Sequence, residues 1–235
     1  MNSPKQILVI GATTSIGQAV VQRFADSGAR LLVTGRSSKV PTPPGADITA
    51  QTLDLLDAAS LDTFEAQVLP RFGKLDVAVF LAGILPGKAL VDYDDPLMNE
   101  VMSVNFLGQA ALLRRLLPHF NSGAHVIFVS SISGERGSFD PIYAASKAAQ
   151  IAFVKSLATW LAPALRVNAI APALIADSSM FNAMAPERRQ HHLNQTPTKR
   201  LTTKEEISGV ILSLCEPAWA NVNGQVIRIN GGTYV

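Results

Sequence analysis

The stretch Ile7-Leu-Val-Ile-Gly11-Ala-Thr-Thr-Ser-Ile-Gly17 decides the fold. Four consecutive apolar residues read as a strand buried on both faces. A glycine-bounded turn follows, and a helical pattern runs from Ile16 to Ser27. Such a turn points backbone N–H groups and the positive end of the helix dipole at one spot, where a pyrophosphate is held. Gly11 allows the tight turn, and Gly17 allows the helix to pack closely on the strand. A glycine pair is often only a turn, but its place between strand and helix favours a nucleotide site.

Outward from this stretch the alternation repeats. Apolar runs at 31–34, 75–81, 125–129, 166–171 and 225–229, with a weaker one at 49–53, alternate with helical stretches near 60–72, 99–120, 143–162 and 204–216. Strands apolar on both faces, set between helices, predict a parallel sheet covered on both sides. Crossover handedness makes this an α/β fold, a doubly wound parallel sheet of about seven strands with helices on both faces. No linker, repeat or low-complexity segment divides residues 1–235, so one domain is expected. Two stretches break the pattern, a polar loop at 85–96 and a mixed segment at 172–197. Both leave the carboxyl ends of strands, where open α/β sheets bind ligands. The second reads as a lid over a substrate pocket or as an ordinary surface helix.

Composition narrows the function. The chain has 235 residues, 48% of them hydrophobic, enough to bury a full core. Its 20 basic and 18 acidic residues are scattered, which gives no support to nucleic acid or a membrane surface as partner. The lone cysteine, Cys215, excludes an internal disulfide and agrees with a reducing compartment. No apolar run approaches about 18 residues, so a soluble cytoplasmic domain is expected. His191 and His192 have no neighbouring Cys or carboxylate at ligand spacing, and no metal site is expected.

In Pro141-Ile-Tyr-Ala-Ala-Ser-Lys147, Tyr143 and Lys147 lie four residues apart ahead of 148–162, a helical stretch free of Pro and Gly. Residues i and i+4 share one helix face, so phenol and ammonium are neighbours. The cation is expected to lower the tyrosine pKa from its reference of about 10. Bringing it to about 7 needs roughly 4 kcal/mol. A tyrosine so tuned exchanges a proton with a hydroxyl or carbonyl oxygen. The spacing alone occurs by chance on many helices; its surroundings give it weight.

Those surroundings resemble the short-chain dehydrogenase/reductase family. Its pattern is a Thr-Gly-x-x-x-Gly-x-Gly turn, Asn-Ala-Gly after the fourth strand and a lone Asn in the next helix. A Ser after the fifth strand, Tyr-x-x-x-Lys, and Pro-Gly after the sixth complete it. The resemblance runs from Ile7 to Asn230-Gly-Gly232 and implies a Rossmann-like, NAD(P)-binding catalytic domain. It implies that Tyr143 is the acid/base and that Lys147 lowers its pKa and holds the nicotinamide ribose. Ser131, three residues before Gly134, would hydrogen-bond the reacting oxygen in preference to Ser130. Asn105 would anchor a water-linked proton relay to the lysine.

The same resemblance implies cofactor contacts from Gly11, Thr13, Ser15, Ile16 and Gly17 in the turn. It adds Arg36 and Ser37 after the second strand, Asp54 and Leu55 beside the adenine, Ala82 and Gly83, the pair Tyr143 and Lys147, and Pro172 and Ile175. The second strand ends Val33-Thr-Gly-Arg36 with no carboxylate, so NADP is favoured over NAD. Four positions depart from the pattern: Ser15 replaces the middle glycine, Leu81 the asparagine and Ala173 the last glycine. Asp177 stands where a threonine usually meets the nicotinamide carboxamide.

The expected reaction is hydride transfer between nicotinamide and a carbonyl or secondary alcohol, on a small, mostly apolar substrate. The rival from another class is a non-catalytic NAD(P)-binding sensor or scaffold. The departures favour that rival, and the full set Asn105, Ser131, Tyr143 and Lys147 opposes it. Enoyl reductases of acyl carrier proteins resemble this pattern with a wider Tyr–Lys spacing. The helix at 143–162 carries Ile151, Phe153, Val154, Leu157, Trp160 and Leu161 around most of its circumference. A homodimer or homotetramer is therefore expected to cover the face turned away from the sheet.

Overall fold

β1 (Gln6–Ile10) lies inside a sheet of seven parallel strands with β2 (Arg30–Gly35), β3 (Ile48–Thr52), β4 (Leu75–Phe80), β5 (Phe120–Val129), β6 (Leu165–Pro172) and β7 (Val226–Ile229). The spatial order is β3-β2-β1-β4-β5-β6-β7, so the direction of winding reverses between β1 and β4. That reversal opens a crevice at the carboxyl ends of the two strands, the place where sheets of this kind bind ligands. The structure, a computed structural model, describes residues 4–36, 40 and 42–235. Ser37, expected to touch the cofactor, lies outside the described residues.

The period of two along β1 explains the layers. Ile7 and Val9 point to one face and join Val20, Val21 and Phe24 of α1 (Ser15–Asp26). Leu8 and Ile10 point to the other and join the second core. All four are at most 1% exposed, and burying each contributes about 1.5–3 kcal/mol. The remaining helices in chain order are α2 (Ala58–Thr63), α3 (Leu69–Phe72), α4 (Asp95–Met102), α5 (Gly108–Leu116), α6 (Ser133–Arg136), α7 (Pro141–Leu161), α8 (Ser179–Ala183), α9 (Pro186–Gln195) and α10 (Lys204–Ser213). Ile207, Ile211 and Leu214, on and just after α10, complete the face shared with α1. Leu112, Leu113 and Leu116 of α5 pack with Val154 and Leu157 of α7 on the opposite face. Phe80 stacks on Phe128 with ring centroids 4.6 Å apart, joining β4 to β5 beneath them.

Three expectations change. The helix read over 99–120 is α4, a π-helical turn at Ser103–Leu107, α5 and a 3-10 turn at Leu117–His119 that contains Pro118. Phe120 opens β5 instead of closing a helix, and pairs with Leu75 across a register shift. The segment after β6 contains α8 and α9, the latter opened by Pro186 at its first position. Finally, the apolar residues of α7 mostly serve this chain's own core. Ile151, Val154 and Leu157 are buried, while Phe153 and Leu161 pack partly buried against the same cluster, leaving Trp160 exposed. Among the described residues no helix is long and apolar enough to cross a membrane.

Candidate active site

The turn after β1 is closed by its own residues. Gly11 adopts φ +87°, a left-handed conformation open to glycine. A Cβ there would sit 2.6 Å from the Ala82 nitrogen, and one on Gly17 would sit 2.5 Å from the Gly11 carbonyl oxygen. Thr14 caps α1: its Oγ1 accepts from Gly17 N at 3.0 Å and donates to Gly11 O at 3.2 Å. Thr13, Ser15 and Ile16 stay half-buried on the open side of the turn, and the first turn of α1 carries no acidic residue. An anionic nucleotide fits this cradle, because the helix terminus retains its positive character.

Other cofactor candidates surround the same crevice. Leu55 is buried, with its carbonyl oxygen 2.5 Å from where a Cβ on Gly108 would lie. Asp54 Oδ1 accepts from Leu56 N at 2.9 Å. Arg36, at the end of β2, is 61% exposed and pairs with Glu100 of α4 at 3.7 Å. Leu81, lacking a polar head, packs against the apolar core beside β1. Pro172 O accepts from Ile132 N at 3.1 Å, which ties the end of β6 to the segment after β5. Ile175 is buried and bridges to Thr202. Asp177 is exposed with φ +57°, a conformation that aspartate tolerates better than threonine does.

The turn after β1 leads directly to the cluster around Tyr143. Gly11 packs on Ala82, and next to it a Cβ on Gly83 would lie 3.3 Å from Asn105 Oδ1 and 3.6 Å from Lys147 Nζ. Asn105 is fully buried in the π-helical turn, an irregularity often found at functional sites. Its Oδ1 accepts from Ile84 N at 2.8 Å, and its Nδ2 donates to Ile84 O at 3.0 Å and to Ser146 Oγ at 2.9 Å. Lys147 Nζ donates to Val129 O at 2.9 Å and to Gln150 Oε1 at 3.2 Å, and stands 5.8 Å from the Tyr143 ring centroid. Ser130 Oγ donates to Lys147 O at 3.0 Å, which commits it to holding α7 on β5. Ser131 Oγ accepts from Ser133 N at 3.1 Å, and its hydroxyl works to lower the Tyr143 pKa. Asn105, Ser131, Tyr143 and Lys147 thus meet around one end of the crevice.

The electrostatics differ from the expected lowering of the tyrosine. Burial raises the Tyr143 pKa, the Ser131 hydroxyl opposes it, and the Asp140 charge adds to the rise. Burial also pulls the Lys147 ammonium down to about 8. Burial is the largest cause at both groups, and the ammonium is held by Val129 O and Gln150 Oε1.

Four polar residues that carry no motif hold this end together. Asp140, 3% exposed, caps α7 by accepting from Tyr143 N at 2.9 Å. Its carboxylate also accepts from Tyr93 Oη at 2.8 and 2.9 Å, from Gly87 N at 2.9 Å and from Lys88 N at 3.3 Å. The loop after β4 is thereby pinned beside Tyr143. Gln109 and Gln150 form a buried hydrogen bond of 2.9 Å on the opposite side of Lys147. An Asp three residues before Tyr143, followed by Pro141, is a helix-start signal visible in the sequence; the glutamines offer none. His191 and His192 lie on α9, and among the described residues no group of three His, Cys, Asp or Glu could hold a metal.

Known proteins match this arrangement along nearly the whole chain. A family model described as Enoyl-(Acyl carrier protein) reductase matches residues 11–234. The 3-oxoacyl-(acyl-carrier-protein) reductase FabG of Staphylococcus aureus is 30% identical over 248 residues, covering 100% of both chains. That of Escherichia coli is 29% identical over 239 residues, covering 98% of both. Among solved structures, a short-chain dehydrogenase/reductase from Brucella melitensis, titled glucose/ribitol dehydrogenase, superposes with a TM-score of 0.91 at 30% identity, covering 98% of this chain and 97% of its own. With its seven-stranded parallel sheet, the chain belongs to the short-chain dehydrogenase/reductase family of oxidoreductases.

Proposed function

We propose that the protein is an NADP(H)-dependent carbonyl reductase, reversible as an alcohol dehydrogenase, with Tyr143 as its acid/base. The observation that carries this reading is the meeting of Ser131, Tyr143, Lys147 and Asn105 beside Gly83, next to a turn suited to a dinucleotide phosphate. The bound nicotinamide would supply or accept the hydride. Gly11, Thr13, Ser15, Ile16 and Gly17 would hold its phosphates, with Asp54 and Leu55 beside the adenine. Ala82, Gly83, Pro172 and Ile175 would line its path, and Arg36 would face a 2′-phosphate.

Tyr143 donates its proton to the substrate oxygen during reduction and removes it during oxidation. Ser131 steadies the developing oxyanion and keeps the phenol oriented. Lys147 offsets the burial that otherwise raises the phenol, provided its ammonium swings partly from Val129 O towards Tyr143 and the ribose. Asn105 fixes the 82–84 segment against which this happens.

The exposed apolar residues Leu90, Val91, Phe139 and Met180 lie on segments that leave β4, β5 and β6, at the carboxyl edge of the sheet. They suit a substrate with an apolar body. The two relatives named as 3-oxoacyl-(acyl-carrier-protein) reductases make 3-oxoacyl thioesters the first compounds to test. The four-residue Tyr–Lys spacing supports carbonyl rather than enoyl reduction. A homodimer or homotetramer remains our reading, resting on the exposed Leu107 and Trp160.

The decisive experiment is a screen of ketones and 3-oxoacyl thioesters with NADPH and NADH, run beside Tyr143→Phe. Turnover should fall by about 10²–10⁴-fold in the variant while NADPH still binds. Undiminished turnover would remove Tyr143 from the chemistry. Tight NADPH binding with no turnover on any compound would favour a sensor.

A further inference from the structure

Gln150 lies one turn beyond Lys147 on α7, Gln109 lies on α5, and both are fully shielded from solvent. Lys147 Nζ donates to Gln150 Oε1 at 3.2 Å, and Gln150 Nε2 donates to Gln109 Oε1 at 2.9 Å. Gln109 Nε2 then donates to the carbonyl oxygens of Ala82 at 2.7 Å and Val104 at 3.2 Å. The direction of this chain is fixed by chemistry. Carbonyls only accept, so Gln109 turns its NH2 group to Ala82 and Val104 and its oxygen to α7. Gln150 must then turn its own NH2 group to Gln109, which leaves an oxygen facing the ammonium. Two main-chain carbonyls thus aim an acceptor at Lys147 from two side chains away.

The chain also answers a departure in the sequence. Leu81 offers no side-chain hydrogen bond to the segment that follows β4. Gln109 holds that segment by the Ala82 carbonyl, and Asn105 holds it at Ile84. Apolar residues of equal size at 109 and 150 would leave Lys147 with the Val129 carbonyl as its one acceptor among the contacts described.

We propose that Gln109 and Gln150 are positioning residues, a directional amide relay that keeps the Lys147 ammonium charged and aligned for proton transfer at Tyr143. This rests on the reading of Tyr143 as acid/base. Burial pulls Lys147 down to about 8, and an acceptor 3.2 Å from Nζ favours its charged form against that pull. Of the elements packed on α7, α4 carries Asp95 and Glu100, the latter paired with Arg36. Tyr143 is on the same helix as Lys147, and Asp140 sits beyond Tyr143 at the start of that helix. α6, whose Gly134 packs on the Lys147 backbone, carries Arg136 and Glu135, the latter paired with Arg228. The end of β5, the π-helical turn and residues 82–84 bring only uncharged groups.

The test is titration of Lys147 by NMR in the full-length protein isotopically labelled at lysine Cε, the resonance assigned by its loss in Lys147→Met. Gln150→Leu should lower the midpoint by about one pH unit, and Gln109→Leu should lower it by less. Gln150→Glu, equal in size but anionic, should raise it. The alkaline limb of kcat/KM should move in the same sense for each variant on any substrate the screen yields. Superimposable titrations of the wild-type, Gln150→Leu and Gln150→Glu proteins would overturn the relay. Should Gln150→Leu fail to fold, Gln150→Glu decides alone: a midpoint that does not rise overturns it. Opposite shifts alongside undiminished turnover in Tyr143→Phe would uphold the relay at Lys147 while removing its link to proton transfer, so the two readings fail separately.

Discussion

The turn after β1 is closed by contacts three residues apart, Thr14 to Gly11 and Gly17 to Thr14. The reacting end is closed by contacts 18 to 53 residues apart: Lys147 to Val129, Asn105 to Ile84, Gln150 to Gln109, and Gly87 to Asp140. The first region needs a strand, two glycines and a helix start, with β2 beside it, since Gly11 N and Ala12 N donate to Thr34 O at 3.2 and 2.9 Å. The second exists only once β4, β5 and α7 are assembled, since each supplies one wall. The proposed phosphate turn is therefore shaped mostly by neighbouring residues, and the cluster around Tyr143 by the tertiary fold. The two meet at Ala82, touched by the turn from one side and by Gln109 from the other.

The largest effect should come from breaking the local region. Gly11→Ala puts a methyl group 2.6 Å from the Ala82 nitrogen, at φ +87°. The atoms it would meet are main chain of Leu81 and Ala82, so no flexible side chain yields. A loss of at least about 2 kcal/mol in denaturant melts is expected, together with loss of NADPH binding in fluorescence titrations. Wild-type affinity for NADPH in this variant would mean that the turn is not the phosphate site.

A smaller and more selective effect should come from the assembled region. Asp140→Asn keeps the helix cap by one oxygen but loses the charge and one acceptor, at a cost of about 1–3 kcal/mol. The carboxylate charge raises the Tyr143 pKa, so its removal lets the phenol ionise at lower pH. The acid limb of kcat/KM for alcohol oxidation should move to lower pH. KM should rise about tenfold as the 87–93 loop loosens from Tyr93 and Gly87. A higher KM with an unmoved limb would leave Asp140 as a mechanical anchor alone.

The same division decides what was legible in the sequence. The strand runs, the Gly11–Gly17 turn and the Tyr143–Lys147 pair could be read because periodicity and short spacing encode them. Gln109 and Gln150 could not be read as parts of a site, because a polar residue on a helix looks like a solvated face until its neighbours are known, and Asp140 could be read only as a helix cap. The π-helical turn at Ser103–Leu107 was hidden for a related reason: an extra residue in one turn leaves the apolar pattern nearly intact. Spacing put an ammonium beside Tyr143 correctly, yet the sign of the pKa shift depended on burial of the phenol and on the Asp140 charge, which the spacing does not encode. Phe153 shows the limit again: it is one of the apolar residues ringing α7 that suggested a partner subunit, and Phe106 and Phe128 of this chain meet its ring edge-to-face.

The smallest effect tests cofactor choice, where local and assembled features overlap. Arg36 follows β2 and by itself predicts a preference for the 2′-phosphate. Glu100 arrives from α4, across the crevice, and its oxygen stands 3.7 Å from the guanidinium. Exposed pairs of this kind are worth at most about 1 kcal/mol, so the carboxylate restrains the arginine without capturing it. Arg36→Ala should weaken NADPH binding by about tenfold and leave NADH within about twofold. Glu100→Gln should tighten NADPH by about two- to threefold at low salt, with the gain fading as ionic strength rises. Equal loss of both cofactors in Arg36→Ala would show the arginine reading something other than the 2′-phosphate. Unchanged NADPH affinity in Glu100→Gln would show the pair opening at no cost. The sign of the Glu100 effect is the more telling outcome, because it follows from a contact between β2 and α4 that no spacing in the chain encodes.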